Sequence, residues 1–209
     1  MRARKQWAKL ALLSVMAVLS AVAIAAPAQA ATGCGTRTTT TPFSRFGDAN
    51  RYFFATNGGF ENGTVNWSVT GGGSVVSGNE SFYLHATTDR YALNLPTGAV
   101  ASSGFMCITK DDPAVRFAVK ATGSQYNSLS VSATIRNSAG TTQSVYLGQL
   151  SSGSYGSWTA SPLYSYSVQL NMPWMLINGV AEISFTFSSQ GSSGAWQIDD
   201  VFVDPFKGT

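Results

Sequence analysis

The single histidine of the chain, His85, sets the limit on proton-transfer chemistry. A Ser-His-Asp triad would have to use it as the base. No Gly-x-Ser-x-Gly turn is present to present a nucleophile, and the nearest match, Gly153-Ser154-Tyr155-Gly156, lacks the spacing. Glycoside hydrolysis needs two carboxyl groups facing each other across a cleft. Glu61, Glu80, Glu182 and seven aspartates supply the groups, but nothing in their spacing selects a pair. One histidine and two cysteines cannot assemble a Cys/His zinc cluster. These residues do not define an enzyme.

The cysteines have a simpler use. Residues 1–30 read as a secretory signal peptide: a basic start, an uncharged and mostly apolar run over 10–26, then Ala28-Gln29-Ala30 as the cleavage site. The apolar run is short for a membrane span of about 20 residues, and Pro27 and Gln29 close it. Export permits a disulfide, and Cys34 and Cys107 are the only candidates. Lipidation of Cys34 is the weaker alternative, because the residues before it match a lipoprotein signal poorly. The leader also distorts the charge. It holds Arg2, Arg4, Lys5 and Lys9; removing these four from 13 basic residues leaves nine against ten acids, a net of −1. A chain so sparsely charged, without a basic cluster, is not built for nucleic acid. No later apolar run has membrane length, so the exported chain should have no membrane span.

Positioning falls to short strands. Residues 31–42 form a Thr-rich lead-in without apolar pattern. Beyond it, Leu129, Val131, Ala133 and Ile135 alternate with serines, Thr134 and Arg136; Val115, Phe117 and Val119 repeat the pattern, as do Ile183, Phe185 and Phe187. Period two is the signature of half-buried strands. Further strands are predicted at 66–70, 74–77, 82–85, 91–95, 105–108, 144–150, 164–170 and 196–203, separated by Gly, Ser and Asn turns. No helix of ten residues is expected. About ten such strands specify an all-β chain folded as one antiparallel β-sandwich, best a jelly roll, over 43–206, with a tail at 207–209.

Two segments carry a resemblance. Asn57-Gly58-Gly59-Phe60-Glu61-Asn62-Gly63 precedes Trp67, and Trp196-Gln197-Ile198-Asp199-Asp200-Val201-Phe202-Val203 stands near the end. Paired in this way, they resemble the galactose-binding-like jelly rolls that several carbohydrate-binding modules share. The middle of the chain, with Phe46-Gly47-Asp48 and Asp204-Pro205-Phe206, is similar to a group of secreted actinobacterial proteins. The resemblance implies a structural Ca²⁺ where the first and last strands meet, held by Glu61, Asp199 or Asp200 and backbone carbonyls of 57–59, Gly59 among them. Six to eight hard oxygens suit that ion. Strict alternation cannot turn Ile198, Val201 and Val203 all inward, so a bulge is expected at Asp199-Asp200, aiming one carboxylate at the ion. Asp89 offers a further oxygen. The alternative is that these acids form a solvated strand end.

The implied function is a secreted, non-catalytic module that binds polysaccharide or another glycan. Sugar rings stack on exposed aromatics. Trp67 and Trp196, inside the motifs, are expected in the core, which leaves Trp174 and Trp158 as candidate ligand platforms. The competing reading is an extracellular structural or interaction protein without a sugar site.

Overall fold

The computed structural model describes residues 33–123, 126–167 and 169–204. The expected leader and the tail at 207–209 lie outside the described residues. The alternating segments form thirteen strands in two sheets, every pairing antiparallel. The first sheet runs β10 (Thr159–Ala160), β7 (Ala114–Thr122), β13 (Ala195–Asp204), β4 (Tyr91–Pro96), β3 (Ser74–Ser77), with β1 (Phe53–Phe54) added to β13 and β11 (Tyr164–Ser165) to β7. The second runs β2 (Trp67–Thr70), β5 (Val100–Ser103), β12 (Val180–Gly191), β8 (Asn127–Arg136), β9 (Thr142–Ser151), with β6 (Met106–Thr109) beside β12. The α-helix of the described residues is one turn, α1 (Met172–Met175).

The core lies between the sheets. Along β8 the apolar residues are buried and the hydroxylated ones half-buried, without exception, so the period read in the sequence is the period of burial. Leu129, Val131, Ile183, Phe185 and Phe187 face Leu93, Leu95, Val115, Phe117 and Ile198 in one cluster. Phe117 and Phe187 meet edge-on at 4.9 Å. Trp67 and Trp196 are buried as expected, and the indole N–H of Trp196 donates to Asn127 Oδ1 at 3.0 Å. A second apolar cluster lies on the outer side of the first sheet, where Phe43, Tyr52 and Leu84 cover Ala118 and Phe202. The lead-in is therefore part of the folded unit. Thr40 and Tyr52 exchange backbone hydrogen bonds, and Cys34 is joined to Cys107 by a disulfide, so Cys34 is no lipid anchor here.

Two predicted strands are corrected. Residues 82–85 form a turn, not a strand: Tyr83 is left-handed (φ 53°), and the amides of Phe82, Leu84 and His85 donate to carboxylates instead of a neighbouring strand. The segment predicted over 164–170 is a strand only at Tyr164–Ser165; Leu170 then turns back, its N–H donating to the Tyr166 carbonyl.

Candidate metal centre

The break in β13 builds the site. Its register against β7 shifts between Asp199 and Phe202, and Asp200 takes a left-handed conformation (φ 47°). The expected bulge is present. It lets Ile198, Val201 and Val203 all reach the core while Asp199 and Asp200 are both fully buried. The turn after β1 closes over them. Ala55 N–H donates to the Val201 carbonyl and Val201 N–H to the Gly58 carbonyl. Close approach explains Gly59: a Cβ there would lie 2.9 Å from Asp200 Oδ1 and 3.3 Å from the Phe54 ring. A side chain there would have to displace the Asp200 carboxylate or the turn itself.

Glu80, also fully buried, is the third acid, and its role was not foreseen. Its carboxylate accepts the amides of Phe82 and of Leu84, the latter at 2.6 Å, and its own N–H donates to Asp199 Oδ2 at 3.0 Å. The same turn delivers the His85 N–H to Asp200 Oδ2 at 3.0 Å. The imidazole stacks on Phe54, centroids 3.8 Å apart, and its Nδ1 lies 2.8 Å from Asp89 Oδ2. A carboxylate on one ring nitrogen fixes the tautomer and leaves Nε2 for a ligand, as the carboxylates behind metal-bound histidines do.

Ligating atoms of His85, Asp89 and Asp200 lie within 4.8 Å of one another, a span that one cation with bonds of about 2.0–2.6 Å can bridge. This group could hold a metal ion. Three observations fit a cation. Glu80, Asp199 and Asp200 are buried, and none takes part in an ion pair among the described residues. Asp200 Oδ1 is buried without a hydrogen-bond partner, an arrangement that costs about 1–3 kcal/mol if nothing fills it. Burial pushes the carboxyls of Asp199 and Asp200 well above the usual range; mutual repulsion raises Asp199 further, and Glu80 and Asp89 raise Asp200. Burial also raises Glu80, against the backbone bonds that favour its charged form. Without a cation the cluster must take up protons; with one it can ionise.

Of the residues singled out in the sequence, Asp199, Asp200 and Gly59 come together, and Asp89 joins them. Asp200 is the one with the unpartnered oxygen. Glu61 stands at the start of β4, where its Oε1 accepts the amides of Arg90 and Tyr91 at 2.8 and 2.9 Å. Trp174, on α1, is 82% exposed. Trp158 is half-buried against the outer cluster, with Lys120 Nζ 5.0 Å above its ring, which makes it a poorer platform.

The outer face of the second sheet is a separate surface. Cross-strand registers place Ser68, Ser102, Thr186, Ser132 and Tyr146 in one row across β2, β5, β12, β8 and β9. The next row is Thr70, Val100, Ser188, Ser130 and Gln149. Tyr146 is 56% exposed at one margin. Phe105 is exposed near the other, its ring covered by the Arg136 guanidinium at 4.0 Å. Arg136 is paired in turn with Glu182 at 2.7 Å.

No family model matches the chain, and no curated protein matches it. Solved structures do. TmCBM61 in complex with β-1,4-galactotriose is 20% identical, the match covering 73% of this chain and 97% of that one at a TM-score of 0.43. The C-terminal family 22 carbohydrate binding module of Clostridium thermocellum Xyn10B is 13% identical, covering 78% and 99% at 0.41. The enzymatically active domain of bacteriophage CBA120 tailspike protein 4 is 17% identical, covering 72% of this chain and 21% of that one at 0.44. All three are distant, and the assignment of a function rests on the chain's own residues.

Proposed function

We propose that this protein is an exported, non-catalytic carbohydrate-binding module of the galactose-binding-like jelly-roll type, with Ca²⁺ as a structural ion at the Asp199–Asp200 bulge. The observation that carries the reading is the outer face of the second sheet. Its two central rows present hydroxyls and an amide, with Val100 the one apolar member and no charge, and an exposed tyrosine ring ends one row. Neutral polyols match such a surface: their hydroxyls exchange hydrogen bonds with Ser, Thr and Gln, and the apolar face of a pyranose stacks on a ring. Prior bonds hold several of these groups in place, as between Ser102 and Thr186 Oγ1 at 2.9 Å and from Gln149 to Ser128 at 2.8 Å. Preorganisation lowers the cost of binding. The cation has no catalytic part in this reading. It neutralises the buried acids and fixes the turns at 57–60 and 80–85 against β13.

The test is retention on insoluble polysaccharides and a glycan array, with Tyr146→Ala and Trp174→Ala beside the wild type. Stacking is worth about 1–3 kcal/mol in the analogous base–aromatic case, so losing the Tyr146 ring should weaken binding about five- to 150-fold. Retention of no glycan at millimolar concentration would overturn the sugar reading in favour of an extracellular interaction protein. Retention unaffected by Tyr146→Ala would move the site off this face, and Trp174→Ala then tests α1.

A further inference from the structure

At one end of the first sheet, on the side away from the core, lies a cavity of about 370 Å³. Asp204, the last residue of β13, lines it with Ala114 of β7; Pro113, Leu163, Ser165 and Ser167 line it as well. The proposed functions of the metal centre and the hydroxyl face use none of these residues. Asp204 is 2% exposed, and its Oδ1 has no hydrogen-bond partner among the described residues.

The surrounding charges are closed off in pairs. Arg116 is held by Asp48, Arg37 by Asp112 at 2.8 Å, and Lys110 by Asp111 at 2.8 Å. Among the described residues Asp204 has no cation of its own, and Asp48 and Asp112 add to the negative potential on it. Lys110 and Asp111 both line the cavity and offset each other, which leaves Asp204 as the net charge of the wall. A neutral ligand would leave the carboxylate uncompensated.

We propose that this cavity is a second ligand site, one that takes a small primary ammonium compound about the size of a single ring. The ammonium would donate to Asp204 Oδ1, with the Ser165 and Ser167 hydroxyls in the same lining, and its carbon body would lie against Pro113, Ala114 and Leu163. A compact ammonium with three donors suits a single unpartnered acceptor better than a planar guanidinium, which needs a forked partner. The volume falls at the small end of ligand pockets.

The experiment is an amide-resolved NMR titration of the whole protein with cyclohexylammonium at pH 7.5, and with cyclohexanol as the neutral counterpart of the same shape. The expected result is saturable shifts at Ala114, Ser165 and Asp204 with the ammonium, and at least ten-fold weaker binding of the alcohol. Asp204→Asn should abolish the difference between the two. Leu163→Trp, made at an exposed position of the lining, should block both while leaving Asp204 intact, which keeps the test usable if Asp204→Asn folds poorly. Equal binding of the alcohol would show an apolar cavity without charge selection and overturn the proposal. So would unchanged ammonium binding by either variant, or the absence of shifts at these amides.

Discussion

Replacing Cys34 and Cys107 together by serine should lower the stability of the whole sandwich. The bridge spans 73 residues and encloses β1 to β5. In the loop-entropy model, freeing a loop of that length returns about 4 kcal/mol of conformational entropy to the unfolded chain. For a domain of roughly 170 residues, each kcal/mol moves the melting temperature by about 2–4 °C, so a fall of about 8–16 °C is expected. The native lead-in should stay in place. Arg37 donates to Asp112 Oδ2 at 2.8 Å and to the Cys107 carbonyl at 2.5 Å, lies 4.1 Å over the Phe53 ring, and is followed by the buried Phe43. The loss should therefore appear as one cooperative transition at lower temperature, and in urea as a lower midpoint with a similar or slightly steeper slope. Calorimetry and urea titration of the oxidised wild type and the double variant decide it. A change below about 1 kcal/mol, or a separate early transition confined to the lead-in, would refute the claim that the bridge acts through the unfolded state of the whole domain.

Glu80→Ala leaves the buried Leu84 amide and the half-buried Phe82 amide without their acceptor; at about 1–3 kcal/mol for a buried group and less for one that water reaches, urea denaturation should show a loss of about 1–4 kcal/mol. Gly59→Ala drives a Cβ to 2.9 Å from Asp200 Oδ1, and calorimetric titration should show Ca²⁺ affinity falling at least ten-fold while the sandwich remains folded by circular dichroism. Burial, with help from Asp48 and Asp112, pushes Asp204 up to about 6. Its folded form thus prefers the proton, so its contribution is complete below about pH 4 and is lost as the pH rises through 6. Asp204→Asn should remove that decline, so stability curves of variant and wild type, both saturated with Ca²⁺, should separate by up to about 3 kcal/mol between pH 4 and 8; parallel curves would show that Asp204 is not held in its protonated form.

The strands were legible because each carries its own evidence. Along β8 alternation alone separates core from surface, and along β12 it does so up to Phe187 apart from the buried Ser184. The bulge in β13 was legible for the same reason, since three apolar residues at 198, 201 and 203 cannot share a face in an unbroken strand. Two cysteines allow one pairing. Glu80 was not legible. Its partner Asp199 is 119 residues away, and the Phe82-Tyr83-Leu84-His85 run after it has the composition of a strand. Carboxylates took up the amides that a strand would have paired, a competition that local propensity does not register. The approach of His85 to Asp89 at a spacing of four also depends on that turn, because no helix links them. The hydroxyl face failed to appear for a different reason: each strand shows its alternating serines, but only the inter-strand register assembles them into rows.

A cation at the buried carboxylates is tested most directly by the melting temperature of chelator-stripped protein before and after Ca²⁺ is restored, in the wild type and in Asp200→Asn. A ligand at a hundred times its dissociation constant stabilises by about 2.7 kcal/mol, so the wild type should rise by about 5–11 °C at pH 8. Asp200→Asn removes a carboxyl that the stripped protein must either protonate or bury charged, so it should melt higher than the stripped wild type and gain nothing from Ca²⁺. A wild type that neither falls on chelation nor rises with Ca²⁺, or an Asp200→Asn variant that responds as fully as the wild type, would contradict the site.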